Sequence, residues 1–491
     1  MTQEKSNAGA HRHTKIIATI GPATESALQL RELILSGVDV VRLNMAHGTG
    51  QWAREVVARI RQVSAEVSRH VAVMMDIKGP EIRTGVVDTP IELKTGDRVF
   101  LMTDPSATAL PSPTAEGKLV YSVTVNYPAL GRDIEIDAIV LVDSGLLRMK
   151  VLSIDENGVL CEVLTDGMMG SRRHINLPGV EVSLPALTEK DVADLKDGVA
   201  AGIDFVALSF VRHGSDVLQL QELLTELGST AKIIAKIEEH TGVANMQEIV
   251  RESDAIMVAR GDLGIEIDYH RLPLIQSELV VACQREGKPV IIATHLLESM
   301  IVSPMPTRAE ISDVCNAVRE QADAVMLSGE TTTGAYPIES VEVLKNIICS
   351  IEPSVSAALN DQIVLREPKA KMLRSAAVLA QDLKQSGIIV FTRSGFLAYV
   401  LAALRPRGVP IFAFTDQEDI FRHCLLPWGV EPFLLDFSED PELTIGKALA
   451  CLKEGGWVHD EDWLVVITNA LANDKIIDSL QLRQVQPKEV G

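Results

Sequence analysis

The sequence lacks paired cysteines, and it has few of the aromatic residues that a stacking surface needs. Its six cysteines lie far apart and form no C-x-x-C pair, which argues against a disulfide framework and a cysteine-ligated zinc site. We interpret them as buried apolar thiols and expect the chain in the reducing cytoplasm. Four Trp and five Tyr are too few for a stacking surface.

Long apolar runs and an excess of positive charge are also missing. No apolar run is long enough to cross a membrane, and the polar stretch 1–15 has no apolar segment typical of a signal peptide. The formal net charge of -21 argues against nucleic acids and anionic membranes as partners, because both need a basic surface. An anionic substrate must therefore be held by a local basic cluster or by a metal ion.

The sequence does contain a regular alternation of short apolar runs and amphipathic segments. Residues 1–13 are predicted to form a mobile tail. Strands are then predicted at residues 15–20, 38–44, 71–77, 203–209, 233–238, 255–260, 289–294 and 323–328, with helices between them. Eight such βα units predict a (β/α)8 TIM barrel, residues 14–83 and 179–355, with a doubly wound open sheet as the alternative.

Two further domains are predicted where this pattern changes. Residues 84–178 consist of short alternating runs broken by Gly, Asp and Asn turns, typical of a small antiparallel β-barrel. This insertion interrupts the barrel directly after a strand, so we expect it to close over the active site as a lid. Residues 356–491 predict a doubly wound α/β domain. One loop of this C-terminal domain, either a phosphate site or a plain turn, comprises Thr392, Arg393, Ser394 and Gly395.

Ionisable side chains follow two neighbouring strands of the predicted barrel. Lys236 and Glu238 project from the same side of one strand, and Asp262 follows the next strand. Because parallel strands end at one edge, we interpret the three side chains as a divalent-metal site with a lysine beside it. A structural salt bridge is the alternative.

Polar residues also end most of the other barrel strands. They are Arg42 and Asn44, Asp76 and Lys78, Ser209, Thr294, and Ser328 with Glu330. A structural role alone predicts no such bias, whereas a barrel enzyme gathers catalytic groups from many strands at one face.

Several motifs together point to one family. They are TKIIATIGPAT, VDVVRLNMAHG, MDIKGPEIRTG, NLPGV with LPALTEKD, IIAKIE, MVARGDLGIEI, ATHLLESM, PMPTRAEISDV and AVMLSGET. Through them the chain resembles pyruvate kinase over about residues 14–480. The resemblance implies the three-domain architecture and a homotetramer. It also implies the glycolytic transfer of the phosphoryl group of phosphoenolpyruvate to ADP, giving pyruvate and ATP.

The resemblance implies roles for the charged residues at the strand ends. Glu238 and Asp262 would hold Mg²⁺ or Mn²⁺, which prefer oxygen ligands. Lys236, helped by Arg42, would stabilise the transferring phosphoryl group. Arg42 could instead form a structural pair with Asp76.

Further implied contacts involve the backbone, a hydroxyl and the nucleotide. The backbone from Arg260 to Asp262, including Gly261, would offer N–H groups to the substrate carboxylate, and Thr294 would bind substrate and help relay a proton to the enolate carbon. Residues implied to contact ADP, which would carry a second Mg²⁺, are Asn44, His47, Arg83 and Arg173. The family usually has lysine in place of Arg173, and His47 could instead be a structural turn residue.

The implied potassium site departs from the family pattern. Its ligands would be Asn44, Asp76 and the Ile77 carbonyl, but Ala46 stands where the family usually has a serine hydroxyl. Glu81 is the residue that accompanies potassium dependence in this family. We therefore expect K⁺ to be used, with water in place of the missing hydroxyl, but to bind more weakly.

Two other departures concern the proton relay and regulation. His295 replaces a more usual glutamine beside Thr294. Phe396 and Leu397 occupy positions that are small or polar in a sugar-phosphate loop, and the stretch after Thr468 lacks the family's glycine-rich loop. A sugar bisphosphate activator is therefore not expected, whereas a monophosphate, a nucleotide or no effector remain alternatives.

Two other functions compete with the kinase. A Mg²⁺-dependent lyase or aldolase could use the same carboxylates through a pyruvate enolate, but it would not need a lid that faces a nucleotide. A metabolite-sensing protein without turnover would account for the family departures. The presence of Lys236 and both metal carboxylates argues against this sensor.

Overall fold

The computed structural model describes residues 12–104, 112–113, 119–355, 363–383, 386–472 and 475–486. Residues 1–11 of the predicted mobile tail lie outside these ranges. Arg12 and His13, which we assigned to the same tail, contact the barrel. The Arg12 guanidinium lies 2.7 Å from the Asp39 carboxylate, and the His13 N–H donates to Glu352. Among the residues described, no helix has the length and apolar character needed to cross a membrane.

The first barrel segment contains the three strands and two helices predicted for it. They are β1 (Lys15–Ile20), α1 (Ala27–Ser36), β2 (Val40–Asn44), α2 (Gly50–Glu66) and β3 (Ala72–Asp76). Helix α1 begins where the Ser26 hydroxyl accepts the Gln29 N–H, and it ends at Gly37, which has a φ of 124°. A residue with a β-carbon rarely adopts that conformation, so glycine lets the chain leave the helix toward β2.

The insertion after β3 forms a separate β-domain. Its elements are β4 (Ile91–Leu93), β5 (Arg98–Met102), β6 (Ser112–Pro113), β7 (Leu119–Thr124), α3 (Leu130–Asp133), β8 (Ile139–Val142), β9 (Leu147–Asp155), β10 (Gly158–Val163), β11 (Gly167–Met169) and β12 (Ile175–Asn176). Seven strands form a sheet in the order β12-β8-β9-β10-β5-β7-β6, and β11 pairs with β4. The pair β5 and β7 runs parallel, which departs from the all-antiparallel pattern we expected. The long connection between these two strands permits the crossover.

The second barrel segment contributes five strands. Its elements are α4 (Glu189–Ala201), β13 (Phe205–Leu208), α5 (Gly214–Glu226), β14 (Lys232–Ile237), α6 (His240–Ala244), α7 (Met246–Glu252), β15 (Ala255–Ala259), α8 (Arg260–Glu266), α9 (Leu272–Glu286), β16 (Val290–Ala293), α10 (Arg308–Arg319), β17 (Ala324–Leu327), α11 (Gly329–Thr332) and α12 (Pro337–Ile351). Short 3-10 helices lie at Tyr269–Arg271, Glu298–Ile301 and Glu352–Ser354.

The eight strands close into a parallel barrel, which confirms the predicted fold and excludes the open sheet. Their order is β1-β17-β16-β15-β14-β13-β3-β2. Alternate side chains point inward and outward. Inward residues such as Ile17, Met74 and Met257 fill the barrel, while outward residues such as Ile16 and Val73 pack under the surrounding helices.

The C-terminal domain has helices on both faces of a five-stranded sheet. Its elements are α13 (Pro368–Asp382), β18 (Ser386–Phe391), α14 (Phe396–Leu404), β19 (Ile411–Thr415), α15 (Glu418–His423), β20 (Val430–Leu434), α16 (Pro441–Glu454), β21 (Trp463–Ala472) and β22 (Lys475–Gln484). The order β20-β19-β18-β21-β22 confirms the predicted α/β fold. Strand β22, antiparallel to β21, was not predicted, although its alternation of polar and apolar residues favours a strand.

The C-terminal domain also closes the lower end of the barrel. Phe421, Leu425 and Leu426 join the inward-facing core. Beside them, Arg405 forms a 2.7 Å ion pair with Asp323, and both side chains are only 3% exposed. The barrel floor is therefore built partly from a second domain.

Candidate active site

Lys236 lies at the centre of a polar cluster at the upper end of the barrel. Its ammonium nitrogen is 2.9 Å from a Glu238 oxygen and 3.2 Å from an Asp76 oxygen. It also donates to the Ser209 hydroxyl at 2.8 Å. Side chains from three neighbouring strand ends, β3, β13 and β14, thus meet at one lysine.

Arg42 extends this cluster to β2 and β1. Its Nε donates to Asp76 Oδ2 at 2.6 Å, and its Nη1 donates to the Thr19 hydroxyl at 3.1 Å. The ion pair with Asp76 that the sequence left open is therefore present. Because Lys236 contacts the other oxygen of Asp76, this carboxylate bridges the two cations and sets their separation.

Burial and charge act against each other on these groups. Burial raises the pKa of Asp76, but Arg42 and Lys236 outweigh it and hold that pKa below its ordinary value. Burial lowers the pKa of Lys236, but Asp76 and Glu238 outweigh it and raise that pKa above its ordinary value. Lys236 is therefore positively charged at neutral pH, as a group that stabilises a phosphoryl oxygen must be.

Glu238 and Asp262 are the two carboxylates that the sequence predicts to hold a divalent cation. Glu238 accepts hydrogen bonds from the Phe210 N–H at 2.8 Å and from Lys236. Burial raises its pKa to about 7; Lys236 opposes this rise, and the negative charge of Asp262 adds to it. Two carboxylates that repel each other in a buried site fit a bound cation. Within the described residues no group of three or more His, Cys, Asp or Glu could hold a metal, so substrate or water oxygens would complete the coordination.

Thr294 follows β16 in an unusual backbone conformation. Its φ is 67° and that of His295 is 55°, values that non-glycine residues adopt rarely and often at functional sites. The Thr294 hydroxyl accepts the Gly261 N–H at 2.8 Å and donates to the Ala293 carbonyl at 2.7 Å. The implied N–H donor and the implied relay hydroxyl therefore contact each other.

The residues implied to bind ADP lie on two parts of the chain. Arg83 pairs with Glu81 at 2.7 Å and donates to the Arg172 carbonyl at 2.7 Å. Arg173 lies 3.2 Å from Asp143 in the insertion. These arginines border the insertion, so a nucleotide that contacts them would also contact the lid.

The other two residues of this group are Asn44, the last residue of β2, and His47 in the turn that follows. Asn44 is also an implied potassium ligand, together with Asp76 and the Ile77 carbonyl at the end of β3. The Asn44 side-chain oxygen accepts the Ala46 N–H at 3.1 Å, and the Asn44 carbonyl accepts the His47 N–H at 3.4 Å. The Ile77 carbonyl accepts the Ser209 hydroxyl at 2.7 Å. These oxygens already have partners, which a cation would have to share.

The predicted phosphate loop of the C-terminal domain connects β18 to α14. The Thr392 hydroxyl accepts the Gly395 N–H at 2.9 Å. Arg393 forms an ion pair with Asp416 at 3.1 Å, although its side chain is 69% exposed. One backbone donor and the one cation are thus engaged within the protein, while Ser394 is exposed.

Sequence reasoning assigned no side-chain role to three residues that hold the strand ends in place. Ser209 and Glu330 were noted only as polar strand ends. Ser209 contacts Lys236, and Glu330, which is 3% exposed, accepts the Leu297 N–H and the Ser328 N–H. These contacts depend on side-chain direction, which strand spacing alone does not give.

The third residue is Arg260, which braces the Thr294 turn. It donates to the Ala293 carbonyl at 3.2 Å and to the Thr294 carbonyl at 2.6 Å. Asp313 on α10 holds the guanidinium at 2.8 Å. The strained turn is therefore held by the Arg260 guanidinium through two consecutive carbonyls.

Comparisons with known proteins agree with this geometry. The family description "Pyruvate kinase, barrel domain" matches residues 11–341, and "Pyruvate kinase, alpha/beta domain" matches residues 370–475. Pyruvate kinases of Staphylococcus aureus strains MRSA252 and USA300 are each 38% identical over 469 residues, spanning 93% of this chain and 77% of theirs.

A crystal structure of a pyruvate kinase from Cryptosporidium parvum superimposes with a TM-score of 0.90 at 34% identity, covering 97% of this chain and 96% of that chain. Of the functions considered from sequence, these matches support the kinase over the lyase and the sensor. The chain therefore belongs to the pyruvate kinase family, enzymes that require a divalent metal and transfer the phosphoryl group of phosphoenolpyruvate to ADP.

Proposed function

We propose that Lys236 is the residue that stabilises the phosphoryl group as it passes from phosphoenolpyruvate to ADP. The observation that supports this is the position of its ammonium between the Asp76 and Glu238 carboxylates, where it is only 10% exposed. Burying a cation costs free energy unless the cation is paired with negative charge. Substrate phosphate oxygens would give it a further partner at the open end of the cluster.

The transfer needs positioning and charge neutralisation more than covalent catalysis. Lys236 and Arg42 would hold oxygens of the phosphoryl group while an oxygen of ADP attacks phosphorus and the bond to the enol oxygen breaks. Glu238 and Asp262 would hold Mg²⁺ or Mn²⁺, which when bound neutralises negative charge on the substrate. The pyruvate enolate remains in the site after the transfer.

The enolate then takes up a proton at carbon, and Thr294 is the group we assign to that step. Its hydroxyl is held by the Gly261 N–H and the Ala293 carbonyl, so it is oriented before substrate binds. The Asp262 N–H would bind the substrate carboxylate, and the Gly261 N–H could join it only by releasing the Thr294 hydroxyl. A proton passed through that hydroxyl from solvent water would yield pyruvate and complete the reaction.

Four residues are proposed to bind the nucleotide, with a second Mg²⁺ on its phosphates. They are Asn44, His47, Arg83 and Arg173. The position of Arg83 and Arg173 supports a nucleotide site there. The segments that carry them are hydrogen-bonded to each other at the base of the insertion, where the Thr84 N–H donates to the Arg173 carbonyl. The insertion would thereby act as a lid that closes on ADP.

Further proposals concern activation by a monovalent cation, the number of subunits and regulation. We propose weak K⁺ activation through Asn44, Asp76 and the Ile77 carbonyl, a homotetramer, and a cytoplasmic location supported by buried free thiols such as Cys283.

The loop 392–395 would take a singly phosphorylated sugar or a nucleotide. Titrating such compounds against initial rate at low phosphoenolpyruvate tests that loop, and an Arg393→Ala variant should abolish any activation.

The central experiment is a coupled assay of pyruvate formation with and without ADP. Lys236→Met should lower kcat by about 10²–10³-fold, because one charge partner of the transition state is lost. Lys15→Met is the matched control: Lys15 is another buried lysine on a barrel strand, but it donates to the Val430 carbonyl at the lower end. Equal kcat values for wild type and Lys236→Met would contradict the proposal, as would pyruvate release that does not need ADP.

A further inference from the structure

A cavity of about 420 Å³ lies between the lower end of the barrel and the C-terminal domain. Its walls come from residues at the starts of β14, β15 and β16, from the segment before α13, and from α14 and α15. This volume falls in the range that small organic ligands occupy. The substrate residues lie at the opposite ends of the same strands, so the cavity is separate from the proposed catalytic site.

The charges that line the cavity balance one another, because three cations, Lys232, Lys288 and Arg366, face three carboxylates, Asp254, Glu286 and Glu367. Lys232 lies 3.1 Å from Asp254, and Arg366 lies 2.9 Å from Glu286. The Lys288 ammonium donates to the Ser253 carbonyl at 2.7 Å. An anionic ligand would have to break one of these contacts before it could use a cation. The charge pattern therefore favours a ligand without net charge.

One wall of the cavity is apolar and contains aromatic side chains. Helix α14 contributes Phe396, Tyr399, Val400 and Ala403. Phe396 is 43% exposed, which is high for a phenylalanine in a domain interface. Apolar and aromatic walls stabilise a ring system through burial and stacking.

His423 supplies a polar group without a partner inside the cavity wall. It is 2% exposed, and within the described part of the chain its Nδ1 atom is buried and has no hydrogen-bond partner. Burial lowers its pKa, so the ring is neutral near pH 7 and carries one donor and one acceptor nitrogen. Such an atom is costly to leave unpaired, and a ligand with a complementary polar edge would satisfy it once the His423 ring turns this nitrogen toward the cavity.

We propose that this cavity binds an uncharged heteroaromatic compound of nucleoside size, with its ring against α14 and a polar edge toward His423. The site goes beyond the proposed catalytic function and uses none of its residues. Ser394 of the loop 392–395 also lines the cavity, so the two proposed sites adjoin, but the ligand proposed for the loop carries a phosphate.

The test is calorimetric titration of the full chain with adenosine, AMP and ribose 5-phosphate. Saturating ADP and Mg²⁺ are present so that the nucleotide site is filled. We expect adenosine to bind with one-to-one stoichiometry. In the Arg393→Ala variant, which removes the cation of the phosphate loop, AMP should bind at least tenfold more weakly than adenosine, and ribose 5-phosphate should not bind. Binding of the two phosphates without binding of adenosine would overturn the proposal, and so would no binding of any of the three.

Variants locate the binding site. Ala403→Trp and Val364→Trp fill the cavity from opposite walls and should weaken adenosine binding at least tenfold. His423→Phe keeps a ring but removes the nitrogens, and about a tenfold loss is expected. Arg393→Ala should bind adenosine as the wild type does, because that residue belongs to the phosphate loop. Unchanged binding in both tryptophan variants would overturn the proposal.

A second cavity variant and measurements of kcat separate failure of the cavity proposal from failure to fold and from failure of the catalytic proposal. Val364 is 51% exposed, so the Val364→Trp variant decides the result if Ala403→Trp does not fold. Both tryptophan variants should keep the wild-type kcat at saturating substrates. Lys236→Met should keep adenosine binding, so failure of the catalytic proposal and failure of the cavity proposal give different results.

Discussion

The Glu238 carboxylate accepts hydrogen bonds from the protein and is also proposed to bind a metal ion. It accepts hydrogen bonds from Lys236 and from the Phe210 N–H, and it is proposed to hold a cation together with Asp262. Its pKa of about 7 means that about half of the Glu238 carboxyl groups carry a proton at neutral pH when no cation is bound. Proton and metal therefore compete for the same oxygens.

The first prediction is that Mg²⁺ or Mn²⁺ affinity depends on pH. Below about pH 7 the apparent affinity should fall tenfold for each pH unit, because one proton must leave Glu238, and above that value it should level off. Asp262→Asn should move the break to lower pH, since the charge of Asp262 raises the pKa of Glu238. Free Mn²⁺ measured by electron paramagnetic resonance checks this, and a constant affinity between about pH 6 and 7.5 would contradict it.

The same pKa has a consequence for stability. A carboxyl group whose pKa is raised in the folded state stabilises the fold fully below its ordinary value of 4.5 and loses that contribution as pH rises through about 7. In the metal-free protein, the contribution of Glu238 to the free energy of unfolding should fall across that window. Glu238→Gln should flatten this part of the pH dependence in chemical denaturation.

The second prediction concerns Ala46 and potassium. Ala46→Ser adds a hydroxyl beside the Asn44 side chain, so we expect the K⁺ concentration for half-maximal activity to fall about threefold to tenfold, the effect of one added polar contact. Ala46→Gly adds no oxygen and serves as the control. Turnover measured across a KCl series checks this. Equal turnover of the wild type with and without K⁺ would show that the ion has no role.

At the scale of secondary-structure elements, the barrel strands were predictable and one edge strand was not. The eight barrel strands are apolar runs buried on both faces, flanked by helices with clear caps such as Thr188 and Thr307. Strand β22 carries polar residues on alternate positions and pairs on one side only. Its pattern is weaker because an edge strand buries less apolar surface.

The candidate site was also predictable only in part: its strand-end residues could be named from the sequence, but the contacts between them could not. Strand ends gave Lys236, Glu238 and Arg42, because residues that follow parallel strands must meet at one edge. Spacing could not give the bridging position of Asp76 or the brace at Arg260. Both depend on side-chain direction and on contacts between residues far apart in the sequence.

The third prediction concerns the turn between β16 and the following loop. Arg260→Met removes the donors to the Ala293 and Thr294 carbonyls, so the strained turn should relax and displace the Thr294 hydroxyl. We expect kcat to fall about 10–100-fold, with a smaller change in KM.

The free energy of unfolding of this variant should also fall, by about 1–3 kcal/mol. Arg319→Met on α10, an exposed position, is the control and should change neither quantity. Arg260→Lys should restore part of the activity, because one donor remains. Wild-type kcat in Arg260→Met would exclude the bracing role.

At the scale of the whole molecule, two domains share one core. Phe421, Leu425 and Leu426 of the C-terminal domain pack with the residues that fill the barrel. The buried pair of Arg405 and Asp323 lies beside them. Asp323 also accepts the N–H groups of Val290 and Trp428, so it ties strand β16 to the second domain.

The fourth prediction follows from that pair. Arg405→Met leaves the Asp323 carboxylate without its cation in a buried position, so the free energy of unfolding should fall by about 3–5 kcal/mol. Urea denaturation followed by circular dichroism checks this. The kcat of the folded variant should stay near that of the wild type, because the pair lies at the end opposite the proposed site. Arg366→Met, which removes an exposed ion pair, should cost under about 1 kcal/mol.

The shared floor limits how the enzyme can be reduced in size. A chain shortened after residue 355 would lose Phe421, Leu425 and Leu426, and water would enter beneath Ile17 and Met74. The barrel is thus not expected to fold stably without the C-terminal domain. A shortened enzyme would need designed apolar residues that cover the lower end of the barrel.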